Sequence, residues 1–431
     1  MRCRIEPSAL NGSISVPPSK SQTLRALLFG LMGRGKTLIH NPLRSPDTQA
    51  MIKAIQHLGA KVALLKRASE KYTLEVEGVA GKLQMAEDVI DAGNSGLVLR
   101  LIGALAGLLP SYTVITGDHS IRHRRPAAPL LEGLTQLGAF ATSARLDHYA
   151  PLIIRGPIKK GTARIDGADS QPVSGLLIAS TFAAHQTEIY VDHPGETPWI
   201  DLTLHWLDTL HLPYQRRDYH HYSVSGCGRY DGFCYTVPAD LSSCSYPLAA
   251  ALVTKSSLTL TSIDTNDNQG DKALFSILQD MGAKIKTDQT TQSLTVAHSP
   301  DLKGMAIDVN PIIDALPLLA VIGCYAQGKT TLYNGHIARH KESDRIRCIV
   351  KELKKMKADI IETADGMTIR RSVLRGAALK SHSDHRIAMA LSIAALFAKG
   401  PSTLEGIECM AKTYPHFIKH FRQLGAKVTL L

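Results

Sequence analysis

Aromatic residues are scarce in this chain: two tryptophans, eight phenylalanines and thirteen tyrosines in 431 residues, or 5% of the whole. That leaves few rings on which nucleic-acid bases could stack and argues against a nucleic-acid partner. Seven cysteines stand at positions 3, 227, 234, 244, 324, 348 and 409, an odd number without a CxxC pair. They offer neither a disulfide framework nor a thiolate zinc site and read as reduced cytoplasmic thiols. The 18 histidines form no HxH or HExxH arrangement, so no metal is expected, and no motif calls for a cofactor. Apolar runs such as ALPLLAVIGCYA (315–326) reach only about a dozen residues, too short to span a bilayer. The start, MRCRIEPSALNG, lacks the apolar core of a secretory signal.

Positive charge is plentiful. Lysine and arginine number 49 against 38 acidic residues, a net charge of +11. The basic residues are spread along the chain instead of massed in a tail, which favours small anionic metabolites over a polyanion. The densest cluster is ARHKESDRIR (338–347), with five basic and two acidic side chains. Clusters of this kind are usually solvated helix starts, and charge alone does not set this one apart.

Internal periodicity does more. An amphipathic helix that turns sharply into a short strand recurs in AIQHLGAKV (54–62), LTQLGAF (134–140), LDTLHLPY (207–214), LQDMGAKI (278–285), LKKMKADI (353–360) and FRQLGAKV (421–428). Four of the six carry glycine where the helix end needs a left-handed residue. A second marker is a helix apolar on nearly every face, at 19–32, 94–109, 170–184, 242–253, 310–326 and 383–398, with starts 68–76 residues apart. A helix apolar all round must be buried. Six units of roughly 72 residues therefore fill the chain, each with a buried helix, an outer helix and several strands, and they fit an α/β protein of two domains with three repeats each.

The first turns of the buried helices carry the chemistry. Unpaired N–H groups and the macrodipole make such turns anion sites. They hold Lys20, Ser21 and Arg25 in SKSQTLR, the GNSG turn with Gly96, Ser170 and Gln171, Asp314, and His385 with Arg386 in SDHR. Charged residues in otherwise apolar helices are expensive unless they are paired or face a cleft. Five helix starts that agree in offering such charged, polar or glycine positions point to a ligand site between two halves.

With these residues in view, the chain resembles the enolpyruvyl transferase family, and within it the EPSP synthases. The likeness runs from PPSKSQTLR through GNSG, RRP, DSQ, HKESDR and SDHR to AKTYP, over nearly the full length. The resemblance implies a two-domain inside-out α/β barrel of βαβαββ repeats with buried parallel helices, residues 1–18 with 238–431 forming one domain and 19–237 the other. It implies transfer of the enolpyruvyl group of phosphoenolpyruvate to the 5-hydroxyl of shikimate 3-phosphate, by addition and then elimination of phosphate. Both substrates carry a phosphate and a carboxylate, which suits arginine forks and lysines. Carried over by position, Lys20, Arg125, Arg345, Arg386 and Lys412 hold phosphoenolpyruvate, with Gly96 behind it. Ser21, Arg25, Ser170, Gln171 and Lys341 hold shikimate 3-phosphate, with Asp314 on its reacting hydroxyl. Asp314 is the expected base, Glu342 the expected proton donor, and Lys20 is counted with them as catalytic; His385 is a relay or a capping residue. The resemblance further implies small-molecule substrates only, a cytoplasmic monomer, no cofactor, and no membrane or nucleic-acid partner.

Several positions depart from the family pattern. Leu97 and Leu101 replace a threonine and a proline, which is expected to reshape the phosphoenolpyruvate wall and weaken inhibition by glyphosate. One extra residue in GDHSIRHRRP leaves Arg124 as an alternative to Arg125. Asp169 replaces a serine beside the substrate phosphate and is expected to turn away, since like charges there repel. In ETPWID (196–201), Thr197 and Trp199 stand in for a phosphate-binding serine and a tyrosine; Ile337 replaces an asparagine. Two rivals remain. The UDP-N-acetylglucosamine enolpyruvyl transferases share fold and donor, but they start differently and use a loop cysteine absent from GDHSIRHRRP. A polyanion-binding repeat protein would show a steep salt dependence, and Asp314 and Glu342 argue against it.

Overall fold

A computed structural model describes residues 1–68 and 71–431. By its internal contacts the chain divides into two units, one of Met1–Pro17 with Pro238–Leu431 and one of Pro18–Val237. Each has its own apolar core.

The unit Pro18–Val237 contains α1 (Lys20–Met32), α2 (Pro46–His57), α3 (Gly96–Ala106), α4 (His119–His123), α5 (Ala128–Gln136), α6 (Ser170–Phe182) and α7 (Thr197–Thr209). The other unit contains α8 (Leu241–Val253), α9 (Ala273–Asp280), α10 (Leu316–Tyr325), α11 (Arg345–Lys355), α12 (His385–Phe397) and α13 (Phe417–Gln423). Every residue of α3 and α8 is buried, and α1, α6, α10 and α12 are buried except at their ends. These are the six apolar helices of the sequence, and each is set among strands that bury one face. In Thr187–Asp192, for example, Thr187, Ile189 and Val191 point inward while the alternate residues are half-exposed.

Each unit carries three four-stranded sheets built on one plan. In the sheet of 161–166, 187–192, 221–224 and 214–217, the first pair is parallel and the next two are antiparallel. The plan explains how the chain passes between units. Asn11–Ser15 pairs in parallel with Ser257–Thr261, and Arg2–Ile5 lies between Ser402–Glu405 and Val428–Leu430. The N-terminal seventeen residues thus complete sheets of the unit that begins again at Pro238, and Cys234–Thr236 completes the sheet of Arg34–His40.

The helix-to-strand turns behave as one motif. Gly59, Gly138, Gly282 and Gly425 have φ of +105°, +83°, +101° and +106°, and His211 and Lys357 take φ of 54° and 69° at the equivalent positions. The left-handed turn is therefore kept even where the sequence lacks glycine, at a local conformational cost to a residue with a Cβ.

The fifth apolar helix differs from the sequence reading. Residues 310–326 are not one capped helix: Asn310–Ala315 is a 3-10 segment broken at Ile312 (φ −127°, ψ 38°), and α10 follows it without a side-chain cap. Pro311 and Pro317 supply no backbone N–H, so a continuous ladder through both is unavailable. Asp314 consequently sits on an irregular segment. The cap of α8 also lies earlier than expected, at Asp240, which accepts from Ser243 N at 2.7 Å.

Candidate active site

In the unit Pro18–Val237 the functional side chains stand at the starts of α1, α3 and α6. Ser19 caps α1 by accepting from Gln22 N at 3.3 Å, and Trp206 Nε1 fixes Gln22 Oε1 at 2.7 Å from α7. Lys20 follows at the first helical position, its Nζ 3.9 Å from Oδ2 of the buried Asp47 in α2. Ser21 is half-buried, and one turn further Arg25 is only 2% exposed. Arg25 donates to Thr203 Oγ1 at 2.8 and 3.1 Å and to the carbonyls of Trp199 and Ser21 at 3.3 Å each. All of these acceptors are neutral, and burial pulls its pKa down to about 10. A guanidinium held dry by neutral oxygens gains most from an anion.

Ser95 caps α3, accepting from Val98 N at 3.3 Å. A Cβ on Gly96 would lie 2.4 Å from Arg125 Nη1 and 2.8 Å from Arg100 Nη1, so two guanidiniums press on this backbone. Arg125 is buried, whereas Arg124 is exposed, so it is Arg125 that meets Gly96. Arg100 did not figure in the sequence reading. It donates to Gln171 Oε1 at 3.1 Å and Pro126 O at 2.9 Å and pairs with Asp169 Oδ2 at 3.0 Å. An arginine four residues after Gly96 in an otherwise apolar helix was the available signal. Leu97 and Leu101 are buried on the same helix.

Asp169 caps α6 through Gln171 N at 3.0 Å, and its other oxygen is the partner of Arg100. Its charge is thus matched within the chain. Glu196 lies against Ser170: Oε2 accepts from both Ser170 N and Ser170 Oγ at 3.2 Å. Glu196 is 2% exposed and takes a left-handed φ of 48°. The structure places Glu196, and not its half-exposed neighbour Thr197, on the Ser170 hydroxyl. Trp199 contributes its carbonyl to Arg25.

In the other unit, one guanidinium organises three carboxylates. Arg345 Nη1 donates to Asp314 Oδ1 at 2.7 Å, Nη2 to Glu342 Oε2 at 2.8 Å and Nε to Asp384 Oδ2 at 2.9 Å. Arg386 Nη2 takes the second oxygen of Asp314 at 2.9 Å, and Lys412 Nζ the second oxygen of Glu342 at 2.7 Å. Burial opposes the charge on Arg345, but Asp384, Glu342 and Asp314 outweigh it and hold its pKa well above the ordinary value. Asp384 also caps α12 through Arg386 N at 2.9 Å and accepts from Ser343 Oγ at 3.0 Å. His385 is buried, its Nδ1 3.9 Å from Glu342 Oε1 and 3.8 Å from Asp384 Oδ1.

The HKESDR segment divides by burial. Asp344 caps α11 and pairs with Arg339 at 2.8 Å toward solvent, while Glu342, Ser343 and Arg345 turn inward and Lys341 is half-buried. It is a helix start and part of the cluster at once. Glu342, Asp384 and His385 bring possible metal-ligand atoms within 4.8 Å of one another. Both carboxylates are already taken by Arg345, Lys412 and Ser343, so the group is built around the chain's own cations.

Three cations and three carboxylates in one buried network form a frame for an anionic ligand, with acid and base groups inside it. Comparison with known proteins agrees with this chemistry. Residues 5–421 match the family described as EPSP synthase (3-phosphoshikimate 1-carboxyvinyltransferase). The chain is 42% identical over 428 residues to a 3-phosphoshikimate 1-carboxyvinyltransferase of Chlamydia caviae, covering 99% of this chain and 94% of that one. It is 40% identical over 429 residues to one from Acetivibrio thermocellus, covering 100% and 99%. A solved EPSP synthase of Acinetobacter baumannii superimposes with a TM-score of 0.81 at 27% identity, over 100% of both chains.

Proposed function

This chain belongs to the EPSP synthase family, and from that premise we propose how its residues divide the work. The enzyme transfers the enolpyruvyl group of phosphoenolpyruvate to shikimate 3-phosphate in aromatic amino acid biosynthesis. Lys20, Arg125, Arg345, Arg386 and Lys412 hold phosphoenolpyruvate against Gly96. Ser21, Arg25, Ser170, Gln171 and Lys341 hold shikimate 3-phosphate, with Thr197 at the edge of that set. Asp314 takes the proton of the 5-hydroxyl as its oxygen bonds to the central carbon of phosphoenolpyruvate. Glu342 gives a proton to the methylene carbon in the same addition and recovers one when phosphate leaves. Its contacts with Lys412 at 2.7 Å and Arg345 at 2.8 Å support this role by position, since they hold its carboxyl among the proposed phosphoenolpyruvate cations.

The observation that carries this reading is that Asp314 and Glu342 hang from the same guanidinium, Arg345, on separate nitrogens. Phosphate release by the purified protein tests it. Release should require both substrates and fall by about 10²–10⁴ in Asp314→Ala, the range for losing a positioned acid–base group. Release with UDP-N-acetylglucosamine in place of shikimate 3-phosphate would move the assignment to the sister transferase.

The two units are proposed as two domains of three βαβαββ repeats each, in the inside-out barrel arrangement with parallel buried helices. Six sheets on one plan support that reading. A cytoplasmic monomer without a nucleic-acid partner is likewise proposed, supported by seven unpaired cysteines and dispersed basic residues.

A further inference from the structure

Asp314 presents a difficulty as a base. Its two oxygens accept from Arg345 and Arg386 at 2.7 and 2.9 Å, and two guanidiniums on one carboxylate weaken its hold on a proton. Something must offset them if a hydroxyl is to be deprotonated. Asp271 is a buried carboxyl in this region that none of the roles assigned above uses.

Asp271 is 1% exposed in the 3-10 turn Gly270–Lys272. Its Oδ2 accepts from Ser242 Oγ in the first turn of α8, and its Oδ1 has no hydrogen-bond partner among the described residues. Buried carboxylate oxygens normally have partners, so an orphan at this position asks for a reason. The turn is pinned by Gln269, which accepts from Leu241 N at 3.0 Å and donates to Ala239 O at 2.8 Å. It packs on the start of α8, on α9 and on the segment Asn310–Ala315 that carries Asp314. The charged groups facing Asp271 are Asp314 from that segment, Arg386 from α12 and Asp240 at the cap of α8. Lys272 follows on its own turn, and Tyr246 of α8 acts on both Arg386 and Asp314.

Building on the reading above, we infer that Asp271 is a positioning residue for the base. Its carboxylate, buried behind Asp314 and sharing the field of Arg386, raises the proton affinity of Asp314 through space. The two carboxyls then form a coupled pair: a proton on one disfavours a proton on the other. Burial, and after it the charge of Asp314, raises Asp271 to about 7. Asp271 ionised strengthens the base; Asp271 protonated leaves Asp314 to its two arginines. Activity therefore rises as pH passes upward through the neutral range.

The experiment is phosphate release from phosphoenolpyruvate and shikimate 3-phosphate between about pH 5.5 and 9, for the wild type, Asp271→Asn and Ser242→Ala, with thermal unfolding to show that each variant is folded. The wild type should show an acidic limb in kcat. Asp271→Asn should flatten that limb and lower kcat about tenfold at pH 8, leaving both KM values within twofold. Ser242→Ala removes a hydrogen bond that favours the ionised form, so it should move the limb to higher pH with the plateau within twofold. An unchanged limb in either folded variant, or a loss confined to KM, overturns the inference while the transferase reading stands. A wild type that releases no phosphate with both substrates overturns both.

Discussion

At the scale of single residues, Gly96 shows how a missing atom can matter more than a present one. No left-handed backbone requires glycine there, since it opens α3 in ordinary helical geometry. What requires it is space: Arg125 Nη1 and Arg100 Nη1 lie 2.4 and 2.8 Å from where a Cβ would stand. The Arg125 guanidinium is the nearer of the two, so it is the one a methyl group would displace first. Gly96→Ala should therefore raise the KM for phosphoenolpyruvate at least tenfold, with the KM for shikimate 3-phosphate changed much less, because the latter's proposed anchors Arg25 and Ser21 lie on another helix. Steady-state kinetics with each substrate varied in turn checks this; equal loss for both would place Gly96 elsewhere in the chemistry.

At the scale of elements, the buried helices share one kind of start but not one energetic role for it. Ser19, Ser95, Asp169, Asp240 and Asp384 all cap helices through a side-chain oxygen. Ser95 caps α3 and makes no charged contact among the described residues, so Ser95→Ala should cost ~1 kcal/mol, the usual value of a cap. Asp384 caps α12 and also receives Arg345 Nε and Ser343 Oγ, and all three side chains are buried. Asp384→Ala should cost about 3–5 kcal/mol, because it leaves a buried guanidinium partly unpaired. Urea denaturation of the two variants separates these cases, and equal losses would mean that the ion network adds nothing to the cap. The HKESDR stretch carries the same lesson. Its charges looked alike in sequence, yet Asp344 and Arg339 serve the helix end while Glu342 and Arg345 serve the cluster.

At the scale of the whole molecule, the continuous unit Pro18–Val237 has every strand of its three sheets and a core of its own. Such a unit meets the conditions for folding alone. Expressed by itself, it should unfold cooperatively on heating and show native-like circular dichroism, but release no phosphate, since Asp314, Glu342 and Arg345 belong to the other unit. A fragment without a cooperative transition would show that its core needs the remaining chain.

Much of this was legible in sequence because it depends on patterns that repeat. A helix apolar on all sides has to be buried wherever it occurs, and a left-handed turn favours glycine, so six recurrences of each revealed the six units. The helix starts at Lys20, Gly96, Ser170 and Arg386 could be singled out because charge or glycine in an apolar helix has a local cost. Other features were not legible, because they depend on what another part of the chain brings near. Glu196 reads as an ordinary loop acid until its left-handed backbone lays it on Ser170, and Asp169 reads as a misplaced charge until Arg100 meets it. Asp271 has no local signal at all: its burial comes from α8 and the Asp314 segment closing over a three-residue turn. Which surfaces must be hidden and which backbone turns must bend was readable from the chain alone, since both follow from side-chain chemistry and period. Which charges find which partners follows only from the tertiary structure, because electrostatic coupling depends on distances of a few ångströms between residues far apart in the chain.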